Sequence, residues 1–155
     1  MIYFRAIGKL ILFILATLYY YPIIVFGSIL IFLGVDKIKW AAKYRKKWAI
    51  AVSKILGMQV KVNGNPPIAP FFLVSNHLSY VDVWVLFSQL ECTFIAKSEV
   101  RKWPIIGFVL ATTGVLFIDR ERRSDVKRVN DEVSKKLTAS QGIVLFPEGT
   151  TSAGS

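Results

Sequence analysis

Cysteine and histidine are scarce in this sequence. Its 155 residues contain one cysteine, Cys92, and one histidine, His77. A single cysteine excludes an internal disulfide and a metal site built on several thiolates, and it suits a reducing compartment. A single histidine excludes every site that needs two imidazoles. We therefore expect no metal centre and look for chemistry that one imidazole can perform.

Acidic residues are scarce as well, whereas apolar residues are abundant. Ten Asp and Glu stand against 20 Lys and Arg, so the formal net charge is +10, and 54% of the residues are hydrophobic. A disordered polycation is excluded because it would be poor in aromatic and β-branched residues. A soluble nucleic-acid-binding domain is seldom this apolar, so we expect no nucleic-acid partner. A membrane segment with basic flanks explains both numbers.

Formal charge is missing from one long stretch, the 26 residues from Leu10 to Val35. As a helix this stretch would reach about 39 Å, which exceeds the ~30 Å hydrocarbon thickness of a bilayer. Pro22 interrupts it, so two short helices in one leaflet are an alternative to one tilted span. Residues 1–60 carry a net charge of +8 and residues 61–155 only +2. We assign residues 1–36 to a membrane anchor, and the positive-inside rule predicts that the chain after it is cytoplasmic.

Residues 37–57 are rich in lysine and have helical periodicity. Apolar side chains recur every three or four residues over 38–56 and predict a basic amphipathic helix. Such a helix either lies at the membrane interface or packs on its own domain.

After residue 57 the pattern changes to short apolar runs separated by helical segments. The runs predict strands at 58–62, 71–75, 93–96, 115–118 and 143–146. The segments between them predict helices at 83–90, at 104–111 and, with Ser124 as its cap, at 124–138. This alternation predicts an α/β domain over residues 58–155, with helices on the faces of its sheet.

The only histidine directly follows one of the predicted strands. A neutral imidazole can take the proton of a hydroxyl near neutral pH, and Asp82 is the candidate partner that would orient it. On one straight helix, side chains five residues apart would point roughly 140° away from each other. The pair can meet only if His77 lies in a loop and Asp82 in the first turn of the next helix. The alternative is a surface histidine beside a helix-start carboxylate.

Polar residues follow two further predicted strands. Arg120 comes just after 115–118 and could hold an anionic group through its planar guanidinium, although it could equally pair with Asp119 or Glu121 in solvent. The stretch 146–152, Phe-Pro-Glu-Gly-Thr-Thr-Ser, could present backbone N–H groups to a phosphate or an oxyanion, or it could be an ordinary loop.

Together these three stretches resemble the 1-acyl-glycerol-3-phosphate acyltransferase family of glycerolipid acyltransferases. Asn76, His77 and Asp82 match the family's first motif, Asn-His-x4-Asp. The second motif, a hydrophobic strand that ends in Arg, matches Gly114 to Arg120, and the third, Phe-Pro-Glu-Gly-Thr, matches Phe146 to Thr150. The resemblance covers about residues 58–155, and the apolar N-terminus resembles the family's membrane anchor.

The resemblance implies a mixed sheet flanked by helices and a role for each motif. His77 would deprotonate the acceptor hydroxyl, which attacks the thioester of acyl-CoA or acyl carrier protein, and Asp82 would orient His77. Substrate binding would fall to the remaining motif residues: Asn76, Arg120 for the acceptor's phosphate, Glu148, Gly149 and Thr150. No cofactor is implied beyond the acyl donor. The implied location is a membrane, with the active domain on the cytoplasmic face of a bacterial inner membrane.

Two departures from the family pattern bear on function. Thr151 stands where many members have Arg, which makes lyso-ornithine lipid an alternative acceptor to 1-acyl-glycerol-3-phosphate. The family's fourth motif should follow the third, but the sequence ends at Ser155, so we expect the C-terminal part of the domain to be missing. The rival hypothesis from another class is a non-catalytic membrane protein that binds anionic lipids through its basic flank. It does not explain why His77, Asp82, Arg120 and Glu148 occur together.

Overall fold

The computed structural model describes residues 2–27, 34 and 36–147. In chain order its elements are α1 (Ile2–Phe26), α2 (Lys37–Leu56), β1 (Phe71–Val74), α3 (Val81–Gln89), β2 (Cys92–Lys97), a 3₁₀ helix (Ser98–Lys102), α4 (Ile106–Thr112), β3 (Leu116–Ile118), α5 (Arg123–Thr138) and β4 (Gly142–Leu145).

The four strands form one sheet in the order β1-β4-β2-β3. Each of its three strand pairs is parallel, so within the described residues the sheet is parallel rather than mixed. Parallel strands need helical connections and a covered face on both sides, which explains why their apolar runs are continuous. The predicted α/β architecture with flanking helices is confirmed. The carboxyl ends of all four strands lie at one edge, where ligands bind in such sheets.

Alternate residues of the strands face two separate apolar layers. On one face, Phe94 and Val144 pack with Phe87 of α3 and Ala49 of α2. On the other face, the strand residues pack against α5 through Val129, Val133 and Leu137. Phe146, directly after β4, belongs to the first layer and carries it to the carboxyl edge of the sheet.

Helix α2 packs on its own domain through one side. Asp36 caps its first turn by accepting from the backbone N–H groups of Ile38 and Lys39, and Gly57 ends it in the left-handed conformation at φ 75°. The spacing of apolar residues predicts a stripe of Ala41, Tyr44, Trp48, Val52 and Ile55. The buried residues are instead Ala42, Arg45, Ala49, Val52 and Ser53, so the buried side is offset by about one residue and shares only Val52.

Helix α1 is continuous through Pro22 and lies along α2. Lys9 Nζ donates to Leu56 O at 2.8 Å, and Trp40 Nε1 donates to Ile23 O at 2.7 Å, so the two helices run in opposite directions in contact over most of their length. The outward side of α1 is apolar and exposed, and the helix is long and apolar enough to cross a membrane by length and composition.

Three local predictions were wrong. Residues 58–62 form no strand, because no described strand lies beside them to accept their ladder hydrogen bonds. Ser124 does not cap α5: the helix begins at Arg123, and the carboxylate of its first turn, Asp125, accepts from the Asp119 N–H at 2.7 Å instead. Helix α4 begins at Ile106 rather than Pro104, because a tight turn at Ile105 precedes it.

Candidate active site

His77 and Asp82 meet at the carboxyl edge of the sheet. His77 lies in the loop after β1, and Asp82 lies in the first turn of α3. His77 Nδ1 and Asp82 Oδ2 are 3.2 Å apart. Because His77 lies in the loop and not on α3, the two side chains can meet although five residues on one straight helix would point them roughly 140° apart.

The Asp82 carboxylate also builds the loop that carries His77. Its Oδ2 accepts from the backbone N–H groups of Leu78 and Ser79, each at 2.8 Å. A carboxylate in the first turn of a helix is further stabilised by the backbone dipoles there. Asp82 is therefore held in place independently of His77, which lets it fix the imidazole. With Asp82 accepting from Nδ1–H, the other ring nitrogen, Nε2, is the one that can accept a proton.

Aromatic rings hold the His77 imidazole from two sides. The Phe146 ring stacks on it with centroids 4.2 Å apart and an interplanar angle of 19°, and the Tyr80 ring meets it edge-on at 6.3 Å. Phe94 stacks in turn on Phe146 at 5.4 Å. Only 13% of the His77 side chain is exposed. The imidazole is thus fixed by one hydrogen bond in its plane and by a ring on its face.

Arg120 connects the second motif to the third. Its two terminal nitrogens donate to the carbonyl oxygens of Phe146, at 2.8 Å, and of Pro147. These bonds fix the end of β4 and the ring that stacks on His77. Arg120 stays exposed at the carboxyl edge of the sheet, on the same edge as the His77 loop. Its predicted contact with an acceptor phosphate stays a prediction.

The loop that carries Arg120 is itself braced by Asp125. The backbone hydrogen bond from Asp119, together with the side chain of Arg128, holds the pKa of Asp125 below its usual value. Arg128 also donates to Phe117 O at 2.8 Å and so attaches α5 to the end of β3. Sequence reasoning did not identify these two residues, because a carboxylate and an arginine on an amphipathic helix are usually solvated.

The remaining predicted site residues are placed as follows. Asn76 is exposed beside His77, and its backbone carbonyl oxygen accepts from the hydroxyl of Ser75 at 3.1 Å. Glu148, Gly149 and Thr150 lie outside the described residues, directly after Pro147. Within residues 2–27, 34 and 36–147, no three His, Cys, Asp or Glu side chains are grouped closely enough to hold a metal ion.

Phe146 is a residue of the candidate site that sequence reasoning missed. In the sequence it is only the first letter of a motif, whereas in the structure its ring is the surface on which His77 rests. A usable signal did exist, since Val144 and Phe146 are two residues apart and two-residue alternation puts both on the same side of the chain. That signal could place Phe146 beside the core, but not against the loop after β1.

Known proteins are similar to this chain in sequence and in fold. The sequence model of the family described as Acyltransferase matches residues 59–155. A lyso-ornithine lipid O-acyltransferase of Pseudomonas aeruginosa is 32% identical over 121 residues, covering 78% of this chain and 46% of the relative. A 1-acyl-sn-glycerol-3-phosphate acyltransferase of Neisseria gonorrhoeae is 31% identical over 118 residues, covering 72% of this chain and 46% of the relative.

A solved structure is similar along nearly the whole chain. It is the crystal structure of the 1-acyl-sn-glycerophosphate (LPA) acyltransferase PlsC from Thermotoga maritima, with a TM-score of 0.61 and 27% identity, covering 96% of this chain and 64% of that one. The chain spans less than half the length of the two curated relatives named above.

Proposed function

Because the chain belongs to the Acyltransferase family, we propose that it catalyses the transfer of an acyl group from a thioester donor to the hydroxyl of a lysolipid. The observation that carries this proposal is the His77–Asp82 contact of 3.2 Å at the carboxyl edge of a parallel sheet. One imidazole oriented by one carboxylate is the arrangement that a direct transfer requires.

The reaction follows from the orientation of the imidazole. Nε2 of His77 takes the proton of the acceptor hydroxyl, and the oxygen attacks the carbonyl carbon of the thioester. The tetrahedral intermediate collapses, the carbon–sulfur bond breaks, and the proton passes from the imidazolium to the departing thiolate. Asp82 stabilises the imidazolium between these steps. The ester and the free thiol are the products, so the proton and charge balance closes without a covalent acyl-enzyme.

The acceptor we propose is 1-acyl-glycerol-3-phosphate, which would give phosphatidic acid. Arg120, exposed near the His77 loop, supplies a cation for its phosphate. The third motif is proposed to complete this binding through Glu148, Gly149 and Thr150, with Asn76 beside the base. Acyl-CoA or acyl carrier protein is the proposed donor.

Lyso-ornithine lipid is the second candidate acceptor, favoured by one residue. Thr151 follows Glu148-Gly149-Thr150 where many family members have Arg, so one cation for a phosphate is missing. A lysolipid without a phosphate would not need it. The relative from Pseudomonas aeruginosa is named for this acceptor.

We also propose that the outward side of α1 contacts a lipid bilayer, with the catalytic domain on its cytoplasmic side. The cytoplasmic side is proposed from the positive-inside rule alone. The support for lipid contact is the packing of α1 along α2, which carries six lysines and one arginine in 20 residues. Placing both helices in the hydrocarbon would bury those charges at a high free-energy cost. Helix α1 lying along one lipid surface, with α2 on the water side, avoids that cost.

The test is a direct assay of acyl transfer by the purified protein in vesicles. Labelled acyl-CoA and acyl carrier protein are each supplied with 1-acyl-glycerol-3-phosphate or with lyso-ornithine lipid. We expect labelled phosphatidic acid as the main product. Acylation of lyso-ornithine lipid in its place would select the second acceptor, and no transfer to either lysolipid with either donor would refute the proposed function.

A further inference from the structure

The segment Trp103–Phe108 places an exposed apolar surface beside the candidate active site. Four of its side chains, here called the α4 tip, are exposed to 42–80%: Trp103, Ile105, Ile106 and Phe108. The Trp103 ring lies 6.4 Å from the Tyr80 ring, which itself meets the His77 imidazole edge-on. The α4 tip is therefore separated from the candidate base by one aromatic side chain.

The backbone holds the α4 tip outward in an unfavourable conformation. Ile105 has φ 63° and ψ −57°, and Ile106 N donates to Pro104 O at 2.6 Å, so Ile105 is the central residue of a γ-turn with positive φ. This turn is rare and strained, and a β-branched residue in it costs about 1–3 kcal/mol. The Ile105 side chain is 80% exposed. Packing within the described part of the chain therefore does not offset the free-energy cost of this turn.

The α4 tip is also rigidly supported. A Cβ atom at Gly107 would lie 2.1 Å from the Arg101 carbonyl oxygen, so the absence of a side chain lets α4 pack directly on the 3₁₀ helix. Arg101 lies over the Phe117 ring at 5.8 Å. The apolar tip is thus a fixed protrusion of the domain.

The apolar outward side of α1 runs up to α4. Tyr21 of α1 and Thr112 of α4 share a hydrogen bond of 2.9 Å, and an apolar pocket between the two helices is lined by Thr17, Ile24, Val109 and Leu110. Both helices leave their outer side chains exposed.

We propose that the α4 tip is a second membrane-contacting element, which inserts into the same lipid surface as α1. The proposal rests on the assignment of α1 to lipid in the proposed function. A convex, strained apolar tip fits a fluid bilayer better than a protein partner, which would need a matching cavity. The exposed bases Arg101 and Lys102 precede the tip and suit anionic headgroups. The two contacts would place His77 close to the lipid surface, where a lysolipid can enter without leaving the membrane.

The test measures the depth of single side chains in vesicles of phosphatidylethanolamine and phosphatidylglycerol. Ile105→Cys, Leu18→Cys on the outer side of α1 and Asn130→Cys on α5 are each labelled with an environment-sensitive fluorophore. Cys92 is buried and its pKa is raised to about 12, so it does not compete for the label. We expect labels at positions 105 and 18, but not 130, to be quenched by lipids brominated in their acyl chains.

A matched pair of variants separates lipid contact from stability. Ile105→Leu keeps an apolar side chain, whereas Ile105→Asn removes it and tolerates positive φ better. We expect the Asn variant to weaken vesicle binding roughly ten-fold without lowering Tm, and the Leu variant to keep it. A label at 105 that stays in water while the label at 18 enters lipid would overturn the α4 contact alone. Loss of both signals would also overturn the assignment of α1. Neither readout requires acyl transfer.

Discussion

Replacing Asp82 by asparagine tests how the carboxylate and the imidazole act together. Asp82 Oδ2 accepts from the backbone N–H groups of Leu78 and Ser79 and lies 3.2 Å from His77 Nδ1. The side-chain amide of Asp82→Asn has one oxygen and one NH2 group. Its oxygen can keep the backbone bonds, but the negative charge that stabilises the imidazolium is lost. If the NH2 group turns toward Nδ1 instead, the proton moves to Nε2 and the base is blocked.

The magnitudes for activity and for stability differ. Without the charge, and with the wrong tautomer accessible, we expect kcat to fall on the order of 10²–10⁴-fold. Stability should fall by about 1 kcal/mol or less, because neutral bonds replace charge-assisted ones and 30% of the Asp82 side chain is exposed to water. KM for the acceptor should change little, since Asp82 is not expected to touch it.

The assay compares kcat, KM and thermal unfolding of Asp82→Asn with those of two other variants. Asp82→Ala removes all three acceptor contacts and should lose both stability and activity. Asp131→Asn, an exposed carboxylate on α5, removes the same charge far from the strand ends and should change neither. If Asp82→Asn retained the wild-type kcat, Asp82 would have no orienting role.

Three further predictions concern residues around the sheet. Arg45→Met should lower the free energy of unfolding by about 2–4 kcal/mol, measured by urea denaturation, because Arg45 donates to the buried carbonyl oxygens of Thr113 and Cys92; an unchanged midpoint would contradict this. Burial raises the pKa of the Cys92 thiol to about 12 from 9.0, so the unfolded chain loses this proton first as the pH rises above 9, and the stability of the wild type relative to Cys92→Ala should fall there by up to about 1.4 kcal/mol per pH unit. An unchanged difference in stability between the two proteins from pH 8 to pH 11 would contradict this. Phe146→Leu should lower kcat about 2- to 10-fold with an unchanged KM, because the stacked ring that fixes His77 is lost; a change in KM alone would indicate a substrate-binding role.

The architecture and the meeting of His77 with Asp82 could be predicted from the sequence because they depend on local patterns. Apolar runs of three to six residues between helical segments identify buried strands, and the five-residue spacing is compatible with contact only across a loop and a helix start. The order of the motifs identified the candidate residues. Their chemical roles stay predictions.

The features that escaped prediction depend on contacts between distant parts of the chain. Arg45 is only 3% exposed, although its position on a lysine-rich helix predicts a solvated side chain. Its burial is explained by the backbone carbonyl groups of Cys92 in β2 and of Thr113 after α4, which accept its hydrogen bonds. That burial lowers the pKa of Arg45 to about 10. Residues 58–62 alternate like a strand, but a strand also requires a neighbour, and the described sheet supplies none. The stacking of Phe146 on His77 likewise joins the ends of the first and last strands.

The most direct test of the central claim is acyl transfer by His77→Ala. The assay follows labelled acyl chains from donor to lysolipid in vesicles, with bound protein and Tm measured on the same samples. The account predicts that transfer falls on the order of 10³-fold or more, while vesicle binding and Tm stay close to those of the wild type. Transfer at the wild-type rate by His77→Ala would show that this imidazole is not the base and would contradict the account.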